Sequence, residues 1–213
     1  MDQKLSETLL TNCVTEFHDQ NLVKFEALGR EHLQDKKIIL VGIVRDVAER
    51  LHKFQDVSRQ LKNMNFDIEV FLYENDSKDK TIELLERWSD EDSWFHFKSE
   101  KRDAPDLRLS TEDDRTINLA YARNECIDWV RKYHPNSDYV VVIDPDLQDY
   151  YVPGLINGVG HLVDKNADAM AGFSYLYKYI GDYNGKVLTD TPQFTGYDCW
   201  AYRHTDFMDG HRS

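Results

Sequence analysis

An α/β sandwich with a mainly parallel, mixed central sheet and a smaller β region toward the C-terminus is what this sequence predicts, and three observations carry the prediction. Apolar runs of strand length recur at residues 38–44, 66–73 and 139–143. Segments with apolar residues at helical spacing lie between them, and the alternation stops after Asp146. Continuous apolar runs are typical of strands covered on both faces, and strands that alternate with helices assemble into parallel sheets flanked by helices.

Taken in order, residues 5–34 carry Leu9, Cys13, Phe17 and Leu28 at helical spacing, so one or two helices should pack onto the core. Ile38-Ile39-Leu40-Val41 opens the first strand, residues 46–64 read as a helix, and residues 66–73 form the second strand. Asp76-Ser77 is placed as the N-cap of a helix running through about Trp88, and Trp94-Phe95-His96-Phe97 as a third strand. Residues 99–114 are polar, irregular and interrupted by Pro105, the longest loop candidate in the chain. Its Lys101, Arg102 and Arg108 suit either closure over a diphosphate or an ordinary solvated loop. Residues 115–133 follow as a helix with Leu119, Ala122, Cys126, Trp129 and Tyr133 along one stripe, then the strand before Asp144. Beyond Asp146, residues 169–179 and 186–189 flank Asp182-Tyr183-Asn184-Gly185, where Asn-Gly signals a hairpin, and residues 197–202 are a further short strand.

A length of 213 residues suits one domain, in which residues 1–36 form the N-terminal helices, 37–149 one half and 150–213 the other. The formal charge of −13 argues against a nucleic-acid or anionic membrane surface, since both need clustered Lys and Arg. Cys13, Cys126 and Cys199 are far apart with no Cys-x-x-Cys pair, so neither a zinc site nor a disulfide framework is signalled. The start of the chain lacks the basic and apolar regions of a signal peptide, and no apolar stretch approaches membrane-spanning length. The expectation is a cytoplasmic chain without a membrane span, and a monomer is the favoured state. Its end at Gly210-His211-Arg212-Ser213 fits a domain of a longer protein as well as a natural terminus.

Two carboxylates at a strand end, Asp144-Pro145-Asp146, are the strongest chemical signal. Ligands of open α/β sheets bind beyond the carboxyl ends of strands, and magnesium is commonly held by one or two carboxylates plus substrate phosphates. Turn chemistry is the competing explanation, since Asp and Pro are common after strands. Neither Gly-x-Gly-x-x-Gly nor a P-loop sequence occurs, so phosphates would have to be held otherwise. Glu74-Asn75-Asp76-Ser77 offers acceptors for a base or ribose, or plain cap chemistry. Arg123, between Leu119 and Cys126, is expected to turn its guanidinium toward the apolar side, where it needs either a diphosphate or a buried ion pair; Arg115, two turns earlier, has the same alternatives.

These stretches share a pattern. Tyr73-Glu74-Asn75-Asp76-Ser77-Lys78-Asp79-Lys80-Thr81 resembles the Val-Asp-Asp-Gly-Ser-Thr-Asp-Gly-Thr signature of GT-A fold glycosyltransferases. Ala122-Arg123-Asn124 resembles their Ala-Arg-Asn element, and Asp144-Pro145-Asp146 their Asp-x-Asp metal motif, all in the family order. Weaker similarity to fungal capsule mannosyltransferases covers residues 115–124 and 197–203, and the chain also resembles the N-terminal domain of a large glycosyltransferase encoded by chlorella viruses.

The resemblance implies a GT-A, Rossmann-like fold and a metal-dependent transfer of a hexose or deoxyhexose from UDP-glucose or UDP-rhamnose to a glycan or glycoprotein. By it, Gly42, Val44, Arg45, Glu74, Asn75 and Asp76 line the nucleoside pocket, Arg115 and Arg123 reach the diphosphate or sugar, Pro145 lies against the donor, and Asp144 and Asp146 touch the ribose and hold Mn2+ or Mg2+. The chain departs from the signature at Glu74, Asn75 and Asp76, where the family has Asp-Asp-Gly. An inverting enzyme also wants a base near the acceptor hydroxyl; Asp198 is the candidate, with Asp182 and Asp206 behind it. His204 and His211 are candidates for a third metal ligand or plain surface residues, and Tyr175, Tyr177, Tyr179, Tyr197 and Trp200 for sugar stacking or strand packing. Two other classes compete. Asp-x-Asp also opens the motif of haloacid dehalogenase-like phosphatases, though on the first strand of that fold, and a non-catalytic nucleotide-sugar-binding module would carry the same residues.

Overall fold

A computed structural model of the chain describes residues 20–104, 112–147, 149–171, 174–178 and 193–197. The chain divides into two compact units, Met1–Ala167 and Asp168–Ser213. The first runs α1 (Gln20–Leu33), β1 (Lys37–Val44), α2 (Leu51–Asn63), β2 (Asp67–Asn75), α3 (Thr81–Glu91), β3 (Phe95–Glu100), α4 (Glu112–Tyr133), β4 (Tyr139–Val142) and α5 (Val152–Lys165). In the second, β5 (Ser174–Lys178) pairs antiparallel with β6 (Gln193–Tyr197). The expected α/β sandwich is present. The partner of β5 is β6, while the Asp182–Gly185 turn and residues 186–189 lie outside the described residues.

The four strands of the first unit are all parallel, in the order β3-β2-β1-β4. Val41 of β1 lies opposite Phe71 on one side and Val142 on the other, which fixes the register across the centre. The chain winds outward from β1 through β2 to β3, then returns to place β4 on the far side of β1. That reversal is a topological switch point, and the crevice beyond the carboxyl ends of β1 and β4 is where such sheets bind ligands.

Successive side chains of a strand point to opposite faces, so β1 and β2 feed two cores. On one face Ile38, Leu40, Ile68, Val70 and Leu72 meet Phe54 and Leu61 of α2, Leu85 and Trp88 of α3, and Ile156 of α5. Trp88 is 1% exposed, stacked on Phe95 with centroids 3.8 Å apart, and its indole N–H donates to Asp92. On the other face Ile39, Val41, Phe71 and Tyr73 meet Ala122, Cys126 and Val130 of α4, with Trp129 stacked on Phe71.

Several expected boundaries move for physical reasons. Among the described residues the strand before Asp144 is an edge strand, not one covered on both faces: Tyr139 and Val141 pack into the core, but Val140 and Val142 are 41% and 58% exposed. Helix α4 lies over β1 and β2, leaving that face of β4 uncovered by the described helices. Helix α3 starts at Thr81, later than an Asp76-Ser77 cap would place it, because Asp79 accepts the Thr81 N–H at 2.9 Å. Strand β3 extends to Glu100 and α4 begins at Glu112, so the long loop is shorter than expected; Arg108 lies outside the described residues. Residues 1–19 of the expected N-terminal helices lie outside them too.

Helix α5 has no counterpart in the sequence expectation, and it carries Pro153, Gly154, Gly158 and Gly160. Proline is tolerated in a first turn, and two glycines allow a close helix crossing. A Cβ on Gly160 would lie 1.9 Å from the Phe25 carbonyl oxygen, and one on Gly29 would lie 2.0 Å from that of Ile156. Helices α1 and α5 therefore pack backbone against backbone. Among the described residues no helix is long and apolar enough to cross a membrane.

Candidate functional site

The switch point brings three of the expected residues together. Gly42 sits near the end of β1, and a Cβ there would lie 2.7 Å from both the Ile143 carbonyl oxygen and Pro145 Cγ. The Asp144-Pro145-Asp146 turn thus rests on Gly42, in space only glycine leaves open. Beside it is a cavity of about 180 Å3 whose lining includes Gly42, Ile43, Arg123, Cys126, Val142 and Asp144. Cys126 is 2% exposed, donates its thiol to the Gly42 carbonyl oxygen at 3.5 Å, and burial pushes its pKa up to about 11. A thiol so held is neutral and not a nucleophile.

Arg123 is exposed rather than turned to the apolar side. Ala122 and Cys126 take the packed stripe of α4, and the helical period leaves Arg123 on its flank, where it borders the cavity without a buried charge. Arg115 is exposed in the N-terminal part of the same helix.

Asp144 and Asp146 are both exposed. Arg50 Nη1 donates to the Asp146 carbonyl oxygen at 3.1 Å, and the Tyr150 hydroxyl to the Asp144 carbonyl oxygen at 2.8 Å. Neither bond uses a carboxylate oxygen. Burial pushes the Tyr150 phenol above its ordinary pKa, and the charges of Asp146 and Asp144 push it further, so both carboxylates act on one neighbourhood. Exposed oxygen donors of this kind suit a hard cation. Among the described residues no group of three or more His, Cys, Asp or Glu is placed to hold a metal, so two carboxylates would leave the remaining positions to phosphate and water. Arg50 and Tyr150 carry no motif, and the sequence offered no signal for either.

The end of β2 is built differently. Glu74 is fully buried; its Oε1 accepts the Ser77 N–H at 2.8 Å and its Oε2 the Ser99 hydroxyl. Asp76 accepts the backbone N–H groups of Arg102, Asp103 and Ala104 at 2.9, 2.9 and 3.1 Å, and the Asn75 amide at 2.8 Å. Partial burial raises its pKa, but the Asn75 amide and the three backbone donors outweigh that and hold it at about 2. Asp46 accepts the Lys78 N–H, Asp79 the Ala48 N–H, and the Thr81 hydroxyl the Val47 N–H. The side chain of Val44 belongs to the core, and Arg45 Nη1 donates to the Ala104 carbonyl oxygen at 3.2 Å. The polar groups expected around a nucleoside therefore hold three loops together. Next to them the Arg102 guanidinium carbon lies over the Tyr121 ring, 3.6 Å from its centroid, and the Tyr73 and Tyr121 hydroxyls both donate to Glu100.

Asp198, Asp182, Asp206, His204, His211, Tyr179 and Trp200 lie outside the described residues. Tyr175 and Tyr177 belong to β5, and Tyr197 ends β6.

No family model matches the sequence, and no curated protein matches it. Among solved structures the chain is similar to the mannosyltransferase PcManGT from Pyrobaculum calidifontis, in complex with GDP-mannose and Mn2+, at 15% identity over 71% of this chain and 43% of that one, with a TM-score of 0.35. It is also similar to residues 1–349 of S. aureus TarS, at 13% identity over 73% of this chain and 46% of that one, with a TM-score of 0.36. The chain spans less than half the length of either structure.

Proposed function

We propose that this chain is a GT-A type, metal-dependent glycosyltransferase domain that moves a hexose or deoxyhexose from a UDP-sugar, UDP-glucose or UDP-rhamnose, to a glycan or glycoprotein. The observation that carries the reading is the meeting of Gly42, Arg123 and Asp144 on one cavity at the switch point, with Asp146 on the same turn. The three sequence elements that resemble the family come from different parts of the chain, and two of them converge there. On this reading the chain is the N-terminal catalytic part of a larger enzyme like the one encoded by chlorella viruses.

Asp144 and Asp146 would hold Mn2+ or Mg2+, which supplies positive charge to a diphosphate leaving group. Arg123, exposed at the cavity rim, is placed to add a second cation against the charge that develops as the sugar departs. In a chain of net charge −13 such local cations are what allow an anionic donor to bind at all. Asp198 is proposed as the base that receives the acceptor's proton if configuration is inverted.

Calorimetry with Mn2+ and a panel of nucleoside diphosphate sugars, followed by an assay of nucleotide release, tests the reading. Metal-dependent binding of a UDP-sugar and release of UDP with acceptor are expected. Release of inorganic phosphate from simple esters would replace it with a hydrolase, and binding without any transfer with a sugar-nucleotide-binding module.

A further inference from the structure

We propose that Asp76 is a positioning residue that plugs a backbone anion nest with its own carboxylate and thereby sets the β3 side of the cleft. In the stretch that resembles Val-Asp-Asp-Gly-Ser, Asp76 occupies the glycine position. Its φ is 56°, in the left-handed region that favours glycine and that Asp tolerates better than most residues. The backbone conformation suits a glycine, and a carboxylate has been added to it.

The carboxylate points into a receptive concavity. Asp103 is also left-handed, with φ 52°, and it turns the N–H groups of residues 102, 103 and 104 toward one point, where the two Asp76 oxygens accept all three. Successive N–H groups arranged in this way form a nest that binds anions. The Asn75 amide donates to Asp76 Oδ2 and fixes the plug from its other side. With the nest closed, Arg102 is held over Tyr121 and within reach of Asn118, and Arg45 caps Ala104. The plug excludes a foreign phosphate from this nest, so a diphosphate is left to the Asp144 and Asp146 side. That directing role rests on the donor reading above; the plug itself rests on geometry alone.

Two variants of the full chain test it: Asp76→Gly, which keeps the backbone conformation, and Asp76→Asn, which keeps the size but loses the charge. Amide hydrogen exchange at residues 102–104 should accelerate roughly ten- to hundredfold in Asp76→Gly, the scale of lost hydrogen bonds to a charged group, and less in Asp76→Asn. Sodium acetate, compared with sodium chloride at equal ionic strength, should restore protection in Asp76→Gly by refilling the nest and do nothing to the parent. UDP with Mn2+ should bind Asp76→Gly about tenfold more weakly than the parent, a loss of one ordered contact set, and acetate should recover it. Unchanged exchange overturns the plug. Faster exchange that acetate cannot reverse overturns the nest, and reversible exchange with unaltered UDP affinity overturns the positioning role. If the parent fails to bind UDP, the donor reading falls, while exchange and acetate rescue still decide the plug.

Discussion

The ends of β2 and β4 make the same offer in sequence, acidic residues directly after an apolar strand, and the fold uses them in opposite ways. At β2 the carboxylates of Glu74, Asp76 and Asp79 accept N–H groups from loops that meet there. At β4 the turn is tied by the main-chain oxygens of Asp144 and Asp146, and both side chains are exposed. The difference follows from the supply of orphan donors. Residues 45–48, 76–80 and 101–104 converge at the β2 corner outside strands and helices, and their N–H groups find acceptors in the side chains that meet there.

The comparison breaks most sharply if the buried carboxylate proves dispensable. Glu74→Ala removes the acceptor of the Ser77 N–H and the Ser99 hydroxyl and leaves a cavity; it should lower unfolding free energy by about 3 kcal/mol. Urea denaturation with an unchanged m-value measures this, and a loss below about 1 kcal/mol would put Glu74 in the same class as the β4 residues. Asp146→Asn should do the reverse. Its stability should stay within about 0.5 kcal/mol of the parent, while transfer falls about 10²-fold or more; near-normal turnover would remove Asp146 from the proposed metal site.

Gly42→Ala probes how the β4 turn is seated. Its new methyl group meets the Ile143 carbonyl oxygen and the Pro145 ring, so the turn must shift. Overpacking of this kind costs about 1–3 kcal/mol, and Mn2+-dependent UDP binding should weaken with it. Normal binding beside normal stability would show that the turn seats itself independently of β1.

The centre of the sheet was legible in the sequence because β1 and most of β2 are apolar on both faces. Ile38 to Val41 lie in the two cores, as do Ile68 and Val70 to Leu72, while Glu69 in the same run is ion-paired to Lys37. What escaped was set by neighbours distant in sequence. Whether Val142 is covered depends on where α4 crosses, and α5 was hidden because Gly160 is chosen for a helix crossing and not for its propensity. At the site the strand end pointed to Asp144, helical spacing to Arg123 and the resemblance to Gly42, and all three border one cavity; the N–H groups that Glu74 and Asp76 face come from other turns and loops, so those contacts were not legible. Arg123 was misplaced by one helical step, since three or four residues from an apolar neighbour still leaves a residue on the flank of a wide stripe.

The smallest effect discriminates the two corners by pH. Burial raises the pKa of Asp79, but its bonds to Thr81 and the Ala48 N–H outweigh that and leave it below the ordinary carboxylate value. A folded pKa below the unfolded one means stabilisation that is complete above about pH 4, the unfolded value, and is lost as pH falls through the folded value. Asp79→Ala should therefore cost about 1 kcal/mol at pH 7, the usual worth of a helix-start acceptor, and the same at pH 5. Below pH 4 the gap between variant and parent should close, because the parent then loses what the variant already lacks. A gap that persists undiminished at pH 2 would mean that Asp79 supports the corner through packing, and that the charge of its carboxylate is incidental to how the β2 loops are held.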